Sequence, residues 1–192
     1  RRCAFNTVGN WSEFDVAARA AFPYVRPMKL QWAHTPMVFR DFPDVFDPAL
    51  AQDAAAFAAQ LTETRDDPAM IGYFLMNEPT WGFAAITPAE GMLINTPHCH
   101  TRRALAEHLR RQYRSDRALA KRWKTDATLD DVADGDWHWP INDKARADLQ
   151  AFSTVMVQRL YDAMSDACRH VDPHHLNLGA RYFRPPPPWA LL

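Results

Sequence analysis

Apolar and polar positions follow two rhythms along this chain: short unbroken apolar runs, and longer stretches in which apolar residues recur every three to four positions. The runs mark strands covered on both faces and the longer stretches mark amphipathic helices. Their alternation is that of an α/β fold with a parallel sheet. Four runs read as strands: Ala4-Phe5-Asn6-Thr7-Val8, Tyr24 to Leu30, Ile71-Gly72-Tyr73-Phe74-Leu75-Met76, and Leu176-Asn177-Leu178-Gly179-Ala180-Arg181. Pro27 makes the second kinked or irregular. A helix led by Ser12 runs to Ala21 with Asp15 at capping-box spacing. Asp47-Pro48 starts another, an N-cap acid before a proline at the first helical position, and Leu50, Ala54, Phe57 and Leu61 keep one apolar face to about Thr64. Residues 80–142 form a long helical and loop excursion, with helices over about 102–114 and 115–124. A final helix over about 143–170 buries Leu149, Phe152, Val155, Leu160, Met164 and Ala167.

Composition narrows the function classes. The 192 residues are 47% hydrophobic, enough for the core of one ordinary domain, and the formal net charge of −1 gives no electrostatic reason for a nucleic-acid or anionic membrane partner. No apolar stretch approaches the roughly 20 residues of a membrane-crossing helix. Nothing near Arg1 resembles a signal peptide, and the chain does not begin with Met, so the compartment and the true N-terminus stay open. Cys3, Cys99 and Cys168 have no motif spacing and read as buried or free thiols. His98-Cys99-His100 looks like a ligand cluster, but side chains one and two residues apart rarely converge on one ion without a partner pair elsewhere, so no metal is expected. Pro185 to Pro188 reads as a rigid loop before a further element beginning at Trp189, or as a polyproline II docking segment.

The chemistry concentrates at Asn77-Glu78-Pro79, which closes the third apolar run. Pro79 blocks continuation of the strand, so Glu78 sits at its C-terminal end as a candidate proton donor. Asn10 and Trp11 follow the first strand, where Gly9-Asn10 also reads as a turn pair. Trp32 and His34 follow the second. Arg181 and Tyr182 close the fourth, placed for a ligand's hydroxyl or carboxylate, or for an ion pair with a helix acid. Four strands with helices between them make either an open sheet or half of an eight-stranded barrel. Length alone favours the open sheet, since a (β/α)₈ barrel typically needs about 250 residues.

The segment IGYFLMNEPTWGF resembles the acid/base motif of the clan A retaining glycoside hydrolases. FNTVGNWS and FPDVFDP are similar to segments of β-agarases of the family 50 type, and the layout from TRRALAEHLRRQYRSDRALAKRWKTD to HLNLGARY is similar to β-galactosidases of the family 42 type. The resemblance covers nearly the whole chain and implies part of a (β/α)₈ catalytic barrel, about strands two to five. It implies Glu78 as general acid/base, Asn77 on the sugar 2-hydroxyl, and Trp81 as a flat stacking face, although Trp81 also reads as a cap on the core. Asn10, Trp11, His34 and Arg181 are the further substrate-contact candidates. The substrate implied is a β-linked galactoside or galactan, with no cofactor. An acid needs a raised pKa to stay protonated, and a setting among Tyr73, Trp81 and Phe83 is expected to supply the desolvation. The clan's nucleophile is a second Glu closing strand seven, and no acid after Glu78 closes an apolar run, so the nucleophile is expected to be missing from this fragment. Half a barrel exposes strand edges, so the chain by itself is expected to be poorly soluble or molten. The rival readings are another clan A specificity, acting on glucosides, mannans or cellulose, and a non-catalytic carbohydrate-binding protein stacking sugars on Trp11, Trp32 and Trp81.

Overall fold

The computed structural model describes residues 5–190. In chain order its elements are α1 (Phe14–Arg19), β1 (Tyr24–Arg26), β2 (Met37–Phe39), β3 (Phe42–Pro43), α2 (Leu50–Ala59), β4 (Met70–Tyr73), β5 (Met76–Asn77), α3 (Pro88–Asn95), α4 (His100–Tyr113), α5 (Asp116–Trp123), α6 (Leu129–Ala133), α7 (Asp143–Val171), β6 (Leu176–Asn177) and β7 (Ala180–Arg181). Tight 3₁₀ turns occupy Gln60–Glu63, Thr80–Phe83 and Pro188–Ala190. The chain divides into two compact units. One comprises the residues up to Ala33 with Ala51–Glu78 and Tyr161–Arg184; the other comprises His34–Leu50, Pro79–Leu160 and the residues from Pro185.

The first unit is built on parallel pairing in chain order. Val8 bridges Tyr24, β1 pairs with β4, and β4 pairs with β6, each parallel to the next. The expected first strand is reduced to that bridge at Val8, and Ala4 lies outside the described residues. β1 stops at Arg26, before Pro27, whose ring removes the next ladder donor. The Ser12-led helix starts later than expected: α1 begins at Phe14, and the residue before it, Glu13, makes no side-chain cap.

The third and fourth apolar runs are each interrupted at the same level. Gly72 and Tyr73 face Leu176 and Asn177, and Met76 and Asn77 face Ala180 and Arg181, so one register continues through both breaks. Two hydrogen bonds bridge the interruption, Leu178 N–H to Tyr73 O at 2.9 Å and Leu75 N–H to Gly179 O at 2.7 Å. Gly179 takes a φ of +70°, a left-handed turn that other residues reach only at a cost. Gly72 is required by close approach, because a Cβ there would stand 2.2 Å from the Leu176 carbonyl oxygen. Gly72→Ala is therefore expected to force β4 and β6 apart and to destabilise the protein by about 1–3 kcal/mol, read as a lowered urea midpoint. At the start of the strands, Tyr24 Oη donates to Asp67 Oδ2 at 2.8 Å, and the His175 ring lies between Asp172 Oδ2 (2.8 Å) and Asp67 O (3.0 Å).

The second unit is mainly helical. Its strands β2 and β3 form a small antiparallel hairpin whose turn carries Arg40 at φ +52°. Helix starts follow local chemistry. Thr87 caps α3 ahead of Pro88, Ser115 caps α5, and Thr128 and Asp131 form a reciprocal capping box on α6. Buried Asp44 accepts from the N–H groups of His100 and Thr101, both at 2.8 Å, at the start of α4, where a carboxylate meets the positive end of the helix. Asn142, just before α7, accepts from Ala145 N–H and donates to Trp123 O.

On α4 Arg102 is fully buried. Its guanidinium donates to the carbonyls of Thr96 (3.2 Å), Pro97 (2.9 Å), Asp131 (2.6 Å), Val132 (2.8 Å) and Gly135. Burial lowers its basicity, yet an arginine starts high enough to remain a cation. The thiols of Cys99 and Cys168 are free and buried, pushed up by burial to about 11 and about 12, and so stay protonated at neutral pH.

Candidate active site

Within the first unit, the end of the β5–β7 ladder gathers four of the residues singled out in the sequence. Asn77 and Arg181 are register partners, and the Glu78 N–H donates to the Arg181 carbonyl at 2.8 Å. Glu78 itself adopts φ +48°, an uncommon conformation for a residue with a Cβ that costs about 1–2 kcal/mol. Strain of this kind persists where surrounding structure holds it, and it gathers at functional sites. Here two ladder residues before Glu78 and Pro79 after it fix the turn.

The side chains converge on Arg181. Its Nη1 pairs directly with Glu78 Oε1 and lies 3.4 Å from Asn77 Oδ1. The guanidinium carbon stands 4.9 Å from the centre of the Trp11 ring, a cation over a π face. Trp11 is exposed. The neighbouring Asn10 has a buried Oδ1 with no hydrogen-bond partner among the described residues. Arg181 thus meets Glu78, not a helix acid. The desolvated setting expected for Glu78 is also not what its immediate partner provides: its side chain is 36% exposed and faces the Arg181 cation.

Trp81 and His34 belong to the second unit. Trp81 corrects an expectation, because its ring is wholly buried, set edge-on to Phe42 with centroids 5.1 Å apart and tilted toward Trp189 at 6.3 Å. It fills core and offers no open face for a sugar. His34 is exposed. One positioning group went unread in the sequence. Asp41, at the β2–β3 turn, accepts from Thr80 N–H (2.8 Å), Thr80 Oγ1 (2.5 Å) and Trp81 N–H (3.1 Å), and thereby caps the 3₁₀ turn that follows Pro79. No local spacing links Asp41 to Thr80, so only the folded chain reveals the contact.

The His98-Cys99-His100 side chains go to separate partners. Cys99 Sγ accepts from Arg102 N–H as the cap of α4, His98 Nδ1 meets Asp134 Oδ1, and His100 Nε2 lies 3.9 Å from Asp47. Among the described residues no group of three His, Cys, Asp or Glu is arranged to hold a metal ion, and no helix is long and apolar enough to cross a membrane.

This mixed α/β arrangement, with helices and small sheets, matches part of a glycoside hydrolase domain. The chain is similar to the crystal structure of an agarase, AgWH50C, with a TM-score of 0.80 and 27% identity, and to an exo-β-agarase with a TM-score of 0.80 and 25% identity. Each match covers 93% of this chain and 27% of the agarase, so the chain spans about a quarter of their length. A β-galactosidase from Rahnella sp. R3 is a more distant match in fold, with a TM-score of 0.54 and 16% identity over 88% of this chain and 30% of that one. No protein-family model matches the chain, and no curated protein matches it.

Proposed function

We propose that this chain is part of the (β/α)₈ catalytic barrel of a retaining glycoside hydrolase that cleaves β-linked galactosides or galactans, with Glu78 as its general acid/base. The observation that carries the reading is the position of Glu78. It closes a parallel strand beside Asn77 and Arg181, in a strained conformation, in a chain whose fold matches agarases along nearly its whole length. Parallel strands that pair in chain order, with helices between them, suit a singly wound barrel, whose chemistry sits at the C-terminal strand ends.

In this reading Glu78, as the acid, protonates the leaving oxygen, and as the carboxylate it then activates the water that releases the sugar. Asn77 serves the 2-hydroxyl, a contact that strengthens as the oxocarbenium-like transition state forms. The unpaired Asn10 Oδ1 suits a sugar hydroxyl, since satisfying a buried acceptor recovers about 1–3 kcal/mol. The second carboxylate, about 5–5.5 Å from the first in a retaining enzyme, would come from the rest of the intact enzyme. Two carboxyl groups suffice, and no cofactor enters.

The reading as a carbohydrate-binding platform loses one of its three aromatic faces, because Trp81 is core. The substrate class is tested by offering the intact enzyme agarose, aryl β-galactosides, aryl β-glucosides and mannan. Hydrolysis of agarose or galactosides is the expected result; action on glucosides or mannan with none on galactosides would transfer the chain to another specificity.

A further inference from the structure

The acid/base reading asks Glu78 to reach the glycosidic oxygen as a carboxylic acid, whereas the geometry around it favours a carboxylate. Arg181 Nη1 contacts Glu78 Oε1 and reaches Asn77 Oδ1 at 3.4 Å, while its guanidinium rests 4.9 Å from the centre of the Trp11 ring. Backbone pairing sets these positions, with Asn77 opposite Arg181 and the Glu78 N–H on the Arg181 carbonyl. Among the described residues, the charged group in contact with the carboxyl is the Arg181 cation of β7, which also reaches the uncharged Asn77 of β5 and the uncharged Trp11. A guanidinium cannot lose its proton in a protein, so its contact keeps a carboxyl ionised.

Resting on the acid/base reading of Glu78, we propose that Arg181 is a positioning residue that holds the Glu78 carboxylate ionised and turned toward β7 until a sugar takes the guanidinium's place. Trp11 provides the means of exchange. Its exposed face seats the cation, and a sugar ring stacking on that face competes with the guanidinium for the same surface. Once Arg181 is displaced, Glu78 takes up a proton from hydronium or buffer acid in the bulk solvent, which reaches it because more than a third of each side chain is exposed. Arrival of substrate and arming of the acid then become one event.

The test is a carboxyl titration by ¹³C NMR of protein labelled at glutamate side chains. The intact enzyme is used, and the Glu78 signal is assigned by its loss in Glu78→Gln. Arg181→Gln is expected to raise the Glu78 midpoint by about 1 unit or more, and Arg181→Lys to keep it nearer the native value. In the unaltered protein, about 1 M salt and a saturating agarose-derived oligosaccharide should each raise it, by screening and by displacement respectively. A midpoint that stays put in Arg181→Gln and in salt overturns the proposal; if that variant does not fold, the salt series alone decides. A midpoint that salt moves and the oligosaccharide does not overturns the displacement. The titration needs no turnover, so the two readings fail separately. A flat titration in an active enzyme removes the role of Arg181, and a shifting one in an inactive intact enzyme removes the acid/base reading.

Discussion

Under the proposed acid/base role, Glu78→Gln in the intact enzyme is expected to lower turnover of its proposed galactan substrate by about 10²–10⁴-fold, the usual worth of a positioned proton donor. The amide keeps the shape of the side chain and can occupy the same backbone turn, but it has no acidic proton to give and no charge for Arg181 to hold. The loss should depend on the leaving group. Dinitrophenolate departs from an aryl galactoside without protonation, so the glycosylation step of that substrate should survive far better than one with a sugar leaving group. A comparison of kcat/KM for the two substrates, which reports the glycosylation step and is blind to the later deglycosylation that Glu78 also serves, checks this. Equal rates for variant and native enzyme on both would remove Glu78 from the chemistry, while an equal loss on both would point to a binding role.

The second large effect lies away from the proposed chemistry. Arg102→Met is expected to destabilise the intact protein by about 3–5 kcal/mol, read from the urea midpoint, because it removes a buried charged donor that several carbonyls share, of which Pro97 O keeps the Gly135 N–H. The guanidinium serves five carbonyls, from Thr96, Pro97, Asp131, Val132 and Gly135. Methionine restores the volume of the stem but none of those bonds. Arg102→Lys should recover little, since a compact ammonium with three donors cannot span carbonyls that a planar fork reaches together. Stability equal to the native protein in Arg102→Met would mean that water satisfies those carbonyls at almost no cost.

Much of the helical framework was legible. Ser115, the apolar spacing of α4 and α5 and the long stripe of α7 are local signals, and the elements appear within a few residues of where those signals place them. The strands were legible as apolar runs but not as shorter pieces, because their breaks at Phe74-Leu75 and Leu178-Gly179 depend on each other across the ladder. The β2–β3 hairpin escaped notice for a physical reason: its turn places Arg40, not glycine or asparagine, at positive φ, and β3 contains a proline. Pro88, in the first turn of α3 and preceded by Thr87, was a start signal that went unread. Trp81 shows the limit of reading aromatics, whose large apolar faces suit core and sugar alike until packing decides. Arg102 shows the same for charge, since an arginine on a helix reads as solvated surface unless distant carbonyls are brought to it.

The matched interruption of the two strands has a mechanical consequence. Asn77, Glu78 and Arg181 all lie on the same side of the breaks, on one short ladder with an uninterrupted register. Any flexing at Leu75 and Gly179 therefore carries acid and cation as passengers on one platform, so breathing of the sheet below leaves their separation unchanged. What parts them must act on the side chains themselves, which in the proposed function is the role of a sugar that stacks on Trp11.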